Sequence, residues 1–164
     1  MKIISLKGSI DNALFSQFIT EMNEPCAKQI YLSTTGGNMY IALQIIDIIN
    51  THDYDVELIG SCALYSAGLL IYNEVTKPKR LLPHTTGMWH MGSEDITIND
   101  LGKPYYDADE NLKKVHMTLH DKVVMRICKE LKLKKKEIKT IKKGYSVYLS
   151  YNRMLKIYGQ TRTE

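Results

Sequence analysis

The sequence has few cysteines, no long apolar run and no secretory leader, and each shortage excludes a class of protein. Its 164 residues contain three cysteines, Cys26, Cys62 and Cys128. Three scattered cysteines are too few for a disulfide framework or a zinc site, so we expect free thiols in a reducing compartment. The best apolar run, Leu64–Tyr72, falls well short of the ~20 residues that span a membrane. We therefore predict no transmembrane segment.

The N-terminus does not resemble a signal peptide, because Lys2, Lys7 and Gly8 interrupt any apolar stretch there. We expect a protein that is not exported and stays in the cytoplasm. We also expect no resident metal and no cofactor.

Charge is modest overall and unevenly placed, with 22 basic and 18 acidic residues giving a net charge of +4. Eight lysines lie between Lys129 and Lys143, against only Glu130 and Glu137. This segment has almost no arginine or aromatic neighbours of the kind that bind nucleic acids. It is therefore predicted to be a solvated lysine face, and neither a nucleic acid nor a membrane is expected as a partner.

What the sequence does contain is a regular alternation of strand and helix patterns. Strands are predicted over 2–7, 29–33 and 55–60, and helices after Asp11, over 39–49, over Ser61–Tyr72 and over 107–131. Strands that alternate with helices are typical of βαβ units and a largely parallel sheet. With 44% hydrophobic residues and no linker or repeat, we expect one α/β domain over residues 1–164.

Three local features could carry chemistry, although each has a plain structural interpretation. Gly36 and Gly37 follow a predicted strand, where backbone amides could bind an oxyanion or simply form a tight turn. Ser66 lies among small residues, where it could be a nucleophile or could bond back to its own helix. His90 ends an extended segment, and four other histidines compete with it for any role, namely His52, His84, His116 and His120.

Taken together, these features resemble the proteolytic subunit of the Clp protease. The resemblance rests on five segments in order, 6–11, 31–37, 63–68, 79–83 and 88–90, which read LKGSID, YLSTTGG, ALYSAG, KRLLP and MWH. The distances from Gly37 to Ser66 and from Ser66 to Arg80 fit the family, with one residue deleted before Pro83. The resemblance implies a ClpP/crotonase-like fold of repeated β-β-α units, with the long handle helix over 107–131.

The resemblance also implies a mechanism. Ser66 would be the nucleophile of a serine endopeptidase, and His90 its general base and later its general acid. The backbone amides of Gly37 and Ala67 would form the oxyanion hole. The expected substrates are peptides or unfolded proteins, and the expected assembly is a heptameric ring or double ring.

The sequence departs from the family in three places. The segment Ile141–Ser146, where the family has its catalytic aspartate, contains no carboxylate. The third member of the triad is therefore unknown, and four acids stay open for it: Asp95, Asp107, Asp109 and Glu137. Cys62 replaces a glycine, and the family's N-terminal pore segment is missing, which counts against an AAA+ unfoldase as partner.

Two other interpretations stay open at this point. One is a catalytically weak or inactive subunit with a structural or regulatory role in a ring complex, which the missing acid favours. The other is a coenzyme A-thioester enzyme of the same fold. The combination of Ser66 with His90 favours a peptidase over the thioester enzyme, because thioester hydration normally relies on carboxylates.

Overall fold

A computed structural model of the chain describes residues 1–92 and 110–161. In these ranges the strands are β1 (Lys2–Ile10), β2 (Lys28–Gly37), β3 (Val56–Tyr65), β4 (Lys79–Leu81), β5 (Thr86–Trp89) and β6 (Val147–Leu149). The helices are α1 (Asn12–Met22), α2 (Met39–Thr51), α3 (Ala67–Glu74), α4 (Glu110–Glu130), α5 (Lys135–Lys142) and α6 (Tyr151–Tyr158). The predicted alternation is confirmed. The helix expected over Ser61–Tyr72 is wrong in its first part, because Ser61–Tyr65 continues strand β3.

The chain divides into two compact units. The first comprises Met1–Trp89 and Val147–Glu164, and the second comprises His90–Ser146. The expectation of one domain over residues 1–164 stays a prediction.

The described strands of the first unit form one sheet. Strands β1, β2 and β3 lie side by side in parallel, and both β4 and β5 pair with β3 in parallel. Only β6 runs antiparallel, against β5. Parallel neighbours require crossover connections, which α1, α2 and α3 supply. The largely parallel sheet expected from the sequence is confirmed.

The core of the first unit lies between this sheet and its helices. Inward positions of β2 alternate as Ile30, Leu32 and Thr34, all of them buried. Helix α2 contributes a buried stripe of Ile41, Ala42, Ile45, Ile46 and Ile49. Helix α3 is buried from Ala67 to Tyr72, and this places the start of α3 directly against the end of β2.

The second unit contains α4 and α5. On α4, Val123 and Ile127 are buried together with Leu131 just beyond it, which confirms this part of the predicted apolar stripe. Positions 107–109 of the predicted handle helix lie outside the described residues. The eight lysines from 129 to 143 are all exposed, as expected of a solvated face. No helix within the described part of the chain has both the length and the apolar character to cross a membrane.

Candidate active site

Ser66 lies at the junction between β3 and α3 in an unusual backbone conformation. Its φ is 53° and its ψ is −121°, a region that residues with a side chain rarely adopt. Its amide donates to the Met88 carbonyl of β5 at 2.8 Å. Although Ser66 occupies the N-cap position, its side chain makes no capping hydrogen bond to α3.

An irregular stretch of β3 leads the chain into this junction. Leu32 of β2 pairs with Gly60, but Thr34 pairs with Leu64, so β3 carries two extra residues between these pairs. Cys62 lies within that bulge with φ at 55°, in the left-handed region that favours glycine. After the bulge, the strand pairs with β5. The bulge thus moves the end of β3 from its pairing with β4 to its pairing with β5.

The glycine pair at the end of β2 is required by close backbone approaches. A Cβ on Gly36 would lie 2.7 Å from the Ser66 Cβ and 3.3 Å from its Oγ. A Cβ on Gly37 would lie 2.4 Å from the Ile10 carbonyl oxygen of β1. Gly37 also has φ at 147°, and Gly36 has φ at 111°. Side chains are therefore excluded at both positions, and the end of β2 packs directly on Ser66.

The first amides of α2 are capped within the chain. Asn38 caps that helix, and its side-chain oxygen accepts from the amides of Tyr40 at 2.8 Å and Ile41 at 3.2 Å. The cap therefore occupies the amides of Tyr40 and Ile41, and not those of the glycine pair. The amide of Ala67 is a different case, because it belongs to the first turn of α3, where amides have no partner within the helix.

His90 follows β5 directly and is the first residue of the second unit. It is half-buried, and burial together with the nearby His120 lowers the pKa of its imidazole below the usual 6.5. A lowered pKa favours the neutral ring, which is the form that can accept a proton. His90 is two residues past Met88, whose carbonyl accepts the Ser66 amide. Ser66 and His90 themselves belong to different units.

His120, one of the other histidines named from the sequence, lies close to Gly92 and Asp121. Its Nε2 lies 3.0 Å from where a Cβ on Gly92 would be. Its Nδ1 is 3.6 Å from the Asp121 carboxylate. His120 therefore lies in the same unit as His90 and acts on its protonation. No sequence motif marks this proximity, because the two histidines are far apart along the chain.

His52 interacts with Lys28, which makes it a weaker candidate than His90 for the catalytic base. Its Nε2 lies 3.1 Å from the Nζ of Lys28, which is buried and also donates to the carbonyls of Glu24 and Cys26. Burial, and then the charge of Lys28, lower the pKa of His52. The imidazole therefore acts as a neutral acceptor for a buried ammonium group.

All four candidates for the third triad member stay open. Glu137 accepts a hydrogen bond from the Lys134 amide at 2.7 Å and so caps α5. The other three candidates, Asp95, Asp107 and Asp109, lie outside the described residues. Among the residues whose side chains the structure describes, no group of three or more metal-ligating side chains could hold a metal ion.

Comparisons with known proteins add two findings. A protein-family model described as Clp protease matches residues 1–143. Among solved structures, a ClpP1 point mutant from Listeria monocytogenes matches with a TM-score of 0.64 and 20% sequence identity, over 94% of this chain and 86% of that chain. A sequence search of curated proteins finds no match. The structural likeness confirms the α/β crotonase-like fold expected from the sequence.

Proposed function

The chain belongs to the Clp protease family, and on that premise we propose that it is a serine endopeptidase subunit in which Ser66 is the nucleophile and His90 its base. The observation that carries the proposal is the backbone of Ser66, with φ at 53° at a strand-to-helix junction. Strained junctions of this kind present a serine hydroxyl at the start of a helix. The close packing of Gly36 against the Ser66 side chain supports the same role.

In the proposed reaction, Ser66 Oγ attacks the carbonyl carbon of a peptide bond while the neutral His90 imidazole takes its proton. The carbonyl π bond opens, and its oxygen becomes the oxyanion of a tetrahedral intermediate. The amides of Gly37 and Ala67 donate to this oxyanion. Each such donor is typically worth ~3–4 kcal/mol of transition-state stabilisation.

The intermediate then collapses, the C–N bond breaks, and His90 returns the proton to the departing amine. Water, deprotonated by His90, attacks the acyl-enzyme and releases the carboxylic acid product together with Ser66. The lowered pKa of His90 supports this role, because the imidazole is then neutral near pH 7.

The third member of the triad is left open in this proposal. The segment Ile141–Ser146 has no carboxylate, and Glu137 is engaged in the cap of α5. Loss of the orienting acid from a triad costs ~10⁴ in kcat without removing all activity. We therefore expect slow acylation rather than none.

Family membership supports a ring assembly of this subunit, a heptameric ring or double ring that acts on peptide or unfolded-protein substrates. The free thiols of Cys26, Cys62 and Cys128 fit the reducing cytoplasm that we propose as its location. Native mass spectrometry tests the assembly, and a strictly monomeric chain would contradict the ring.

Labelling with a fluorophosphonate probe, followed by mass spectrometry of the adduct, tests the catalytic proposal. We expect the adduct on Ser66, and we expect it to disappear in Ser66→Ala and in His90→Ala. Ser61→Ala is the matched control, because Ser61 lies on β3 five residues before Ser66, and this variant should label like the wild type. An adduct on Ser61 instead of Ser66 would show that the nucleophile has been assigned wrongly.

The second candidate function is a catalytically weak or inactive subunit with a structural or regulatory role in a ring complex. The absence of a carboxylate from Ile141–Ser146 favours it. The two proposals differ in one result. An assembled oligomer that never labels at Ser66, even at high probe concentration, would support the inactive subunit and refute the peptidase.

A further inference from the structure

We propose that Thr34 is a positioning residue for acyl transfer, because its buried hydroxyl fixes the strand that carries Gly36 and Gly37. The inference rests on the proposed function and extends it to a residue that touches no substrate. Thr34 is buried and occupies an inward position of β2, next after Ile30 and Leu32. Its polar group is therefore held inside the core.

The hydroxyl of Thr34 is satisfied on both sides. Its Oγ1 accepts from the Gly36 amide at 3.0 Å and donates to the Gly8 carbonyl of β1 at 2.5 Å. Buried polar groups stabilise a structure only when they are paired in this way. The pair of bonds ties the backbone of Gly36 to the neighbouring strand through one side chain.

These bonds lie where the regular pairing of β1 with β2 fails. Lys7 pairs with Ser33, whereas Ser9 pairs with Gly36, so β2 has an extra residue at this point. A bulge leaves backbone groups without their usual ladder partners. The Thr34 hydroxyl supplies partners for two of them, and it thereby fixes where Gly36 and Gly37 resume the pairing.

The methyl group of Thr34 has a separate contact. A Cβ on Gly68 would lie 2.2 Å from the Thr34 Cγ2, so the first turn of α3 packs directly on this methyl group. Gly68 is two residues after Ser66 and one after Ala67. The methyl group therefore packs on the turn that carries the Ala67 amide, and this contact is separate from the hydrogen bonds of the hydroxyl.

The consequence for the reaction is geometric. Oxyanion donors act only if they are already aimed at the developing charge, and a shift of ~1 Å can cost ~10² in rate. Loss of the Thr34 hydroxyl frees the Gly36 amide and allows the adjoining Gly37 peptide to move. Loss of the methyl group leaves the hydrogen bond from the Gly36 amide in place and removes only the packing contact with Gly68.

Two substitutions separate these roles. Thr34→Val keeps the shape and the methyl contact with Gly68 but removes the hydroxyl. Thr34→Ser keeps the hydroxyl and removes the methyl group. We expect the rate of fluorophosphonate labelling to fall by about 10- to 100-fold in Thr34→Val and to stay within about threefold of wild type in Thr34→Ser.

Two further measurements distinguish positioning from general stability. Amide hydrogen exchange at Gly36 should speed up in Thr34→Val and not in Thr34→Ser. In contrast, thermal unfolding should show that Thr34→Ser is destabilised by the cavity that it leaves. A merely structural role would make the labelling rate follow the melting temperature across both variants, and that result would overturn the inference.

Other outcomes of the labelling experiment separate the positioning inference from the proposed function. If the wild type labels at Ser66 and Thr34→Val labels at the same rate, the positioning inference is wrong while the proposed function stands. If the wild type does not label at Ser66, the proposed function fails and the positioning role fails with it. If Thr34→Val does not fold, Thr34→Ser decides by itself. A labelling rate near that of wild type in spite of a lower melting temperature supports positioning by the hydroxyl, and a tenfold loss that accompanies the lower melting temperature would overturn the inference.

Discussion

The strained backbone at the proposed nucleophile predicts that glycine is more stabilising than alanine at position 66. Both substitutions remove the hydroxyl, so their difference isolates the Cβ atom. A residue with a side chain at φ 53° and ψ −121° is strained by about 1–3 kcal/mol. Glycine relieves this strain, because it has no Cβ to clash with the backbone.

The net magnitude follows from three terms. Strain relief contributes about 2 kcal/mol. The greater freedom of glycine in the unfolded chain costs about 0.4–1 kcal/mol, and the loss of a half-exposed methyl group costs about 0.4 kcal/mol. We therefore expect Ser66→Gly to unfold with a free energy about 1 kcal/mol higher than Ser66→Ala. That difference corresponds to about 2–4 °C in Tm for a chain of this size.

Urea denaturation at equal slope measures the difference directly. The matched control is the same pair of substitutions at Ser16, an exposed position inside α1. There the sign should reverse, because glycine is about 1 kcal/mol worse than alanine in a helix. If Ser66→Gly is as unstable relative to Ser66→Ala as the Ser16 pair predicts, the junction is not strained and the observation that carries the proposed function fails.

Three further predictions concern single groups. Cys62→Gly should raise the free energy of unfolding by about 1 kcal/mol relative to Cys62→Ala, because the left-handed conformation is costly for a residue with a Cβ; equal urea midpoints would contradict this. The labelling rate should rise with pH through an apparent pKa below 6.5, because His90 must be neutral to accept the proton. His120→Gln should raise that apparent pKa, since His120 lowers the pKa of His90, and an unchanged value would show that His120 does not act on His90. The free energy of unfolding should fall as pH drops from 6.5 towards the lowered pKa of folded His52, because the unfolded chain binds the proton first. In His52→Gln, whose side chain can still accept from Lys28, the urea midpoint should depend less on pH, and an unchanged pH dependence would contradict this.

The parts of the fold that the sequence predicts are those with a clear period. The alternation of Ile4 and Leu6 identifies β1, and the stripe of Val123, Ile127 and Leu131 identifies the end of the long helix. The order and spacing of the motifs in the resemblance then single out Ser66 and His90. Periodicity and motif order together therefore predict the architecture and the candidate residues.

The parts that could not be predicted depend on contacts between distant segments. Ser61–Tyr65 is an apolar run of small residues with no period, and a run of this kind fits a buried strand as well as a buried helix. Its strand conformation follows from pairing with β2 and β5, which no local pattern encodes. Thr34 was missed because it is polar, although its place after Ile30 and Leu32 in the inward series was a usable signal.

The bulge at Cys62 and the strained backbone of Ser66 act together at the end of β3. Cys62 and Ser66 both have a positive φ, and they flank the three residues that pair with β5. The first turn moves the strand from its pairing with β4 to its pairing with β5, and the second leads it into α3. Neither turn is favourable by itself, since each holds a side chain in a costly conformation. The buried first turns of α3 and the pairing with β5 hold both in place, and this explains how the proposed nucleophile stays in a strained conformation.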